Sequence, residues 1–285
     1  MKILFARSTF HAVLAAAAIL TASPTIAGPF IFAGTDADDH GSASAAANLD
    51  GWLFMQRAIE NMAPSVTNGS KTVVSLGSDP TTTAADAAAS AFAFSNLGAT
   101  GWTYANINTA AGITAFFSGV GAQNTGNTGI IMLDSGENVD GGLSPDEQVA
   151  LASNAGALNA YLSAGGGLFS QANDYGWLGA LLPAVEVNEE FEAGIALTPA
   201  GSSAFPGLTA LDLSTGPYHG YFSNIGELGV LGVGAITQNA IIIGARGGSV
   251  TNPEVPNGVV PEPATMSMMA LGMLGFLAAR RRNRR

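Results

Sequence analysis

The sequence predicts an α/β protein whose body is an open, doubly wound and mostly parallel sheet in three layers, with helices on both faces. Two observations lead to this prediction. Short continuous apolar runs, typical of buried strands, alternate along the chain with segments of helical periodicity. The 285 residues are 47% hydrophobic and 11% charged, which is enough apolar material for one sizeable domain.

The elements follow one another in a regular order. Five apolar runs predict the parallel strands, at 29–34, 71–76, 102–107, 129–134 and 168–172. Helical periodicity is found at 49–62, 83–96, 110–117, 144–163 and 177–182, and Asn48 is the predicted cap of the first of these helices. The fourth helix has the clearest start, because Ser144 can cap it, Pro145 suits its first turn and Glu147 completes a capping box. Further along, runs at 229–235 and 240–244 predict an antiparallel extension of the same sheet.

The first 27 residues have the three parts of a secretory signal peptide. Lys2 and Arg7 give a basic start, an unbroken apolar run covers 12–20, and small residues lead up to Ala27. We therefore expect the Sec translocon to export the chain and signal peptidase to cut after Ala27. An N-terminal membrane anchor is the alternative, but the apolar run is short for about 30 Å of hydrocarbon.

The C-terminal end of the chain also has three parts. Val260, Pro261, Glu262 and Pro263 precede an uncharged stretch over 264–279, and five arginines follow it. As a helix, this stretch would be roughly 24 Å long at 1.5 Å per residue, so we expect it to cross a thin bilayer. Because arginines resist translocation, they are predicted to stay in the cytoplasm while the body lies outside.

This order of parts resembles the PEP-CTERM sorting signal. The resemblance implies that an exosortase in the inner membrane of Gram-negative bacteria cuts at the motif. An inner-membrane-anchored precursor would then be released to the cell envelope or the extracellular polymer matrix. A plain C-terminal membrane anchor is the alternative. The chain is thus predicted to consist of a signal peptide (1–27), an α/β domain (28–244), a flexible stalk (245–258) and a sorting segment (259–285).

Charge and composition exclude several classes of function. Residues 28–260 hold 3 basic and 20 acidic side chains, a formal net charge of −17. Such a surface excludes non-specific nucleic-acid binding, and it repels an anionic exopolysaccharide unless divalent cations bridge the two. The chain has no cysteine, which excludes a disulfide framework, a cysteine-based metal site and a cysteine nucleophile.

Acidic loops follow the first and the fourth predicted strands. Ligands of open α/β sheets bind beyond the carboxyl ends of the strands, where these loops should meet. These loops supply four carboxylates, which are hard oxygen ligands: Asp36, Asp38, Asp39 and Asp134. They predict a site for Ca²⁺ or Mg²⁺, and the sequence indicates no other cofactor. The spacing is not that of an EF-hand. The alternative is that these aspartates cap helices and bind loop amides.

The element order, with the loops after the first, fourth and fifth strands, resembles the class I glutamine amidotransferase-like fold, a flavodoxin-like relative. That family has a cysteine nucleophile on a turn after one strand. The matching turn here begins with Ser170, so the resemblance implies the fold without the family's nucleophile. Ser170 as nucleophile and His219 as base would make a hydrolase, although Ser170 lacks a G-x-S-x-G elbow.

Taken together, these patterns favour an exported, non-catalytic protein with a structural or binding role at the cell envelope or in the extracellular polymer matrix. A hydrolase-type enzyme of amidotransferase-like fold, using the loops at the carboxyl edge of the sheet, is the alternative.

Overall fold

The structure is a computed structural model that describes residues 28–136, 141–171, 176–190, 194–214 and 220–244. The predicted signal peptide, stalk, transmembrane helix and sorting segment lie outside these ranges. Within them, no helix is both long and apolar enough to cross a bilayer.

Ten of the described strands form one sheet, and two form a separate hairpin. The sheet contains β1 (Phe30–Ala33), β4 (Thr72–Leu76), β5 (Thr103–Ile107), β6 (Ile130–Leu133), β7 (Gly167–Ser170), β8 (Glu186–Glu189), β9 (Ile195–Leu197), β10 (Gly220–Ser223), β11 (Gly229–Gly234) and β12 (Ala240–Gly244). The hairpin consists of β2 (Gly41–Ala43) and β3 (Asn48–Asp50). The described helices are α1 (Gly51–Met62), α2 (Thr83–Ala93), α3 (Ala110–Phe117), α4 (Pro145–Ser153), α5 (Ala155–Ser163), α6 (Leu178–Leu181) and α7 (Pro199–Ala204).

The sheet is mixed, which corrects the prediction of a mostly parallel one. Five strands are parallel, in the order β5-β4-β6-β7-β1. Next to them β12 pairs antiparallel with β1, and β10, β8, β11 and β9 continue the sheet through antiparallel pairs. The predicted antiparallel extension is therefore confirmed, but it is larger than the two runs at 229–235 and 240–244 suggested.

Helices cover both faces of the sheet, so the predicted three layers are present. Residues of β1 alternate between two cores: Phe30 and Phe32 face α3, α4, α5 and α6, whereas Ile31 and Ala33 face α1, α2 and α7. Aromatic contacts occur in both cores. The rings of Phe32 and Trp177 lie 5.6 Å apart in the first core. Burial of these apolar faces is the main force that holds the layers together.

Two helix boundaries differ from the predicted ones. The first helix starts at Gly51, and Asn48 does not cap it as predicted. Asn48 belongs instead to the β2–β3 hairpin, and its side-chain amide donates to Gln56 Oε1 and Ser90 O. The predicted helix over 144–163 is two helices that meet at Asn154. Its capping box is confirmed, since the Ser144 N–H donates to the Glu147 carboxylate at 2.9 Å.

The strand order creates a topological switch point at the carboxyl edge of the parallel strands. The chain leaves β4 through α2 toward β5 on one side, and it leaves β6 through α4 and α5 toward β7 on the other. Because β4 and β6 are neighbours, the two connections diverge directly above their carboxyl ends. Open α/β sheets bind ligands at such a switch point.

Candidate functional site

Acidic side chains are buried at this carboxyl edge. Asp36 and Asp38 lie in the loop after β1, and Asp134 follows β6 directly. Asp36 is 4% exposed, whereas Asp38 and Asp134 are 0% exposed. Burying ionised carboxylates is unfavourable unless hydrogen bonds, protons or cations compensate for the lost hydration. The partners of each carboxylate therefore decide what the site can bind.

Hydrogen bonds compensate for the burial of only one of the two carboxylate oxygens of Asp38. Its Oδ2 accepts from Ser135 Oγ at 2.9 Å and from the Ser135 N–H at 3.3 Å. Its Oδ1 is buried and accepts no hydrogen bond from the described residues. Burial raises the pKa of Asp38 to about 6; the hydrogen bonds of Ser135 and the backbone lower it, and the charge of Asp36 adds to the rise.

Asp134 has the same one-sided arrangement. Its Oδ2 accepts from Ser78 Oγ, which shares a 2.6 Å hydrogen bond with Ser75 Oγ. Its Oδ1 is buried and has no partner in the described part of the chain. Burial raises the pKa of Asp134 well above its ordinary value, and the charges of Asp38, Asp39 and Glu147 raise it further.

The loop after β1 is fixed from two directions. Gln171, the residue after β7, accepts through Oε1 from Thr35 Oγ1 at 2.8 Å and from the Ala37 N–H at 3.0 Å. From the other side, Trp52 Nε1 donates to Asp38 O at 2.8 Å. Both contacts hold the backbone of the loop, so the position of the Asp38 carboxylate is set by strand β7 and helix α1.

The other two predicted ligands have different surroundings. The Asp36 carboxylate lies 3.3 Å from Nε2 of His40, four residues further along the same loop. Asp39 is half-buried, and its charge acts on Asp134. Glu147 lies close enough to act on Asp134 as well, and its Oε1 is buried without a partner among the described residues.

Asp38 and Asp134 are the two fully buried predicted ligands, and Ser135, which follows Asp134, binds Asp38. The charges of Asp36 and Asp39 also act on these two side chains. In the described ranges, no group of three or more histidine, aspartate or glutamate side chains could hold a metal ion. A cation between these two carboxylates would therefore also need hydroxyl, backbone or water oxygens. Mg²⁺ sites use one or two carboxylates and several waters in this way, and Ca²⁺ takes the same oxygen types.

Four residues of the site were not named as site residues from the sequence, although Ser135 and Gln171 lie in the loops after the fourth and fifth predicted strands. Ser78, Ser135, Gln171 and Glu147 come from four different loops or helix starts, and each contributes one polar group. The sequence signal that three of them share is their position: Ser78, Ser135 and Gln171 each follow the carboxyl end of a parallel strand within two residues.

The predicted hydrolase pair is described in part. Ser170 is the last residue of β7, is 0% exposed, and is paired in the sheet with Leu133 and Phe32. His219 lies outside the described residues, so the pairing of nucleophile and base stays a prediction. The predicted processing residues Ala27, Val260, Pro261, Glu262 and Pro263 also lie outside the described ranges.

Comparison with known proteins supports the interpretation of the tail. A family model described as the PEP-CTERM protein-sorting motif matches residues 259–282. The chain therefore carries the signal of an exported protein that is directed to exosortase. Neither characterised proteins nor solved structures yield a match to this chain. The likeness of the body to the amidotransferase-like fold accordingly stays a prediction.

Proposed function

We propose that the chain acts, after export, as a non-catalytic binding or structural protein of the cell envelope or the extracellular polymer matrix, and that its carboxyl-edge site takes Ca²⁺ or Mg²⁺. One observation supports the cation proposal. Asp38 and Asp134 each have one buried carboxylate oxygen that accepts no hydrogen bond from the described residues. An oxygen that is buried and has no donor is a suitable ligand for a hard cation.

Charge balance supports this proposal. The two lysine or arginine side chains in the described residues are engaged elsewhere: Arg57 binds Glu60 at 2.6 Å, and Lys71 donates to Thr100 O at 2.9 Å. Neither lowers the pKa of Asp38 or Asp134. Within the part of the chain that the structure describes, no lysine or arginine balances the buried carboxylates, which leaves this role to protons or a bound cation. A divalent cation would compete with protons for the same oxygens.

The proposed role of the cation is structural. The loops after β1 and β6 supply Asp38 and Asp134, so a shared cation would join two loops that are otherwise linked through Ser135. We also propose that an exopolysaccharide binds the acidic exterior of the protein through further cations that bridge the two negative surfaces. Because the site is buried, cation binding inside it and polysaccharide binding outside it are separate events.

Isothermal titration of the exported chain with CaCl₂ and with MgCl₂ at pH 7.5, after removal of bound ions with EDTA, tests the cation site. We expect heat of binding and a raised melting temperature for at least one ion, and the loss of both in Asp38→Asn and Asp134→Asn. Asp86→Asn is the matched control, because Asp86 is an exposed carboxylate on α2. No heat at millimolar concentrations of either ion would refute the proposed site.

A further inference from the structure

Gly28 is the residue that the predicted cut after Ala27 would place first in the exported chain. Its N–H donates to Leu162 O at 2.8 Å. A Cβ on Gly28 would lie 1.8 Å from Gly166 O and 2.9 Å from Leu162 O, so only glycine fits between the two carbonyl groups. The residue next to the predicted cleavage site is thus built into the fold.

The acceptor is the end of a helix. Leu162 lies in the last turn of α5, where carbonyl groups carry partial negative charge, and its carbonyl oxygen also accepts from the Gly165 N–H at 3.0 Å. Cations are stabilised at such a position, whereas a neutral amide gains only its hydrogen bond. The surroundings of the Gly28 nitrogen therefore suit a positive charge better than the amide of the uncut chain.

We propose that removal of the signal peptide creates an N-terminus that is anchored in the fold. Hydrolysis of the Ala27–Gly28 peptide bond consumes one water, leaves a carboxylate on Ala27 and leaves a protonated amine on Gly28. That ammonium group is held at the C-terminal end of α5. The anchored amine is shielded from amine-reactive reagents and from aminopeptidases. This proposal rests on the predicted cut after Ala27 and is independent of the cation site.

The composition of the chain permits a direct test. After the cut, the one lysine is Lys71, so in a Lys71→Arg chain the α-amine of Gly28 is the one remaining primary amine. Lys71 is exposed and donates to Thr100 O, a contact that arginine can also make. The rate at which an amine-reactive ester labels this chain then reports on the α-amine alone.

We expect the purified Lys71→Arg chain that starts at Gly28 to be labelled at least about tenfold more slowly in its native state than in urea. The matched control is the same chain with Ala27 retained, in which the amine lies one residue beyond the anchor and should react at nearly its unfolded rate. Equal native rates for the two chains would overturn the proposal. Mass spectrometry of the exported protein showing a first residue other than Gly28 would overturn it as well.

Discussion

Replacing Asp38 with asparagine should change how stability depends on pH. Burial raises the pKa of this carboxyl from its ordinary 3.8 to about 6 in the folded chain. A group with a raised folded pKa contributes stability that is fully present below pH 3.8 and is lost as the pH rises through the folded pKa. In the wild-type chain freed of divalent cations, the contribution of Asp38 to stability should therefore be lost between about pH 4 and pH 6.

The size of the effect follows from the pKa. At 1.36 kcal/mol per pK unit, a rise from 3.8 to about 6 corresponds to a loss of about 3 kcal/mol in the free energy of unfolding. Asparagine resembles the protonated acid in shape, keeps an oxygen for Ser135 and does not ionise. We expect Asp38→Asn to lack this loss and to be more stable than the wild type at pH 7.

Urea denaturation of both chains in EDTA, at half-unit steps from pH 4 to pH 7, measures the difference directly. The quantity to compare is the free energy of unfolding of the variant minus that of the wild type, because groups that do not interact with Asp38 then cancel. Asp134 contributes to this difference as well, since the charge of Asp38 raises its pKa. A difference that stays constant within about 0.5 kcal/mol over this range would refute the argument. A second series with millimolar CaCl₂ or MgCl₂ should reduce the difference, since a bound cation would compensate for the ionised carboxylate.

Three further outcomes are expected. Gln171→Ala removes the oxygen that accepts hydrogen bonds from Thr35 Oγ1 and the Ala37 N–H. It should lower the free energy of unfolding, measured in urea, by about 1–3 kcal/mol. Phe54→Ala leaves a cavity where the side chain is 0% exposed, and should lower the free energy of unfolding by about 3–5 kcal/mol in the same assay. Leu49→Ala is the comparison and should lower it far less, because Leu49 is half-exposed. Mass spectrometry of the mature protein should place its C-terminus at the motif over 260–263; a final product ending at Arg285 would contradict exosortase processing.

Much of the parallel sheet could be predicted because its strands are continuous apolar runs. Strand β6, with the sequence Ile-Ile-Met-Leu, is buried on both faces and has no helical periodicity. Strand β8, with the sequence Glu-Val-Asn-Glu, has no comparable signal. Its residues are mostly exposed at the edge of the sheet. It pairs with β10 through backbone hydrogen bonds and through a bond from the Asn188 side chain to Ser223 Oγ, a contact that local sequence does not reveal.

The candidate site shows a similar limit. The aspartates could be identified because they are acidic and follow strands. Their partners could not, because Ser135 and Asp38 are 97 residues apart, and Gln171 and Thr35 are 136 residues apart. Serine and glutamine are common residues without a distinctive spacing. Contacts of this kind arise from the order of strands in the sheet, which local sequence patterns do not determine.

The antiparallel pairing of β1 with β12 brings the two ends of the described body together. Ile31 is opposite Gly244, so the chain enters the body and leaves it on the same side. The acidic loops follow the other end of β1, roughly 13 Å away at 3.3 Å per residue for four residues. Segments joined to either end of the body therefore start at the opposite end of β1 from the buried carboxylates.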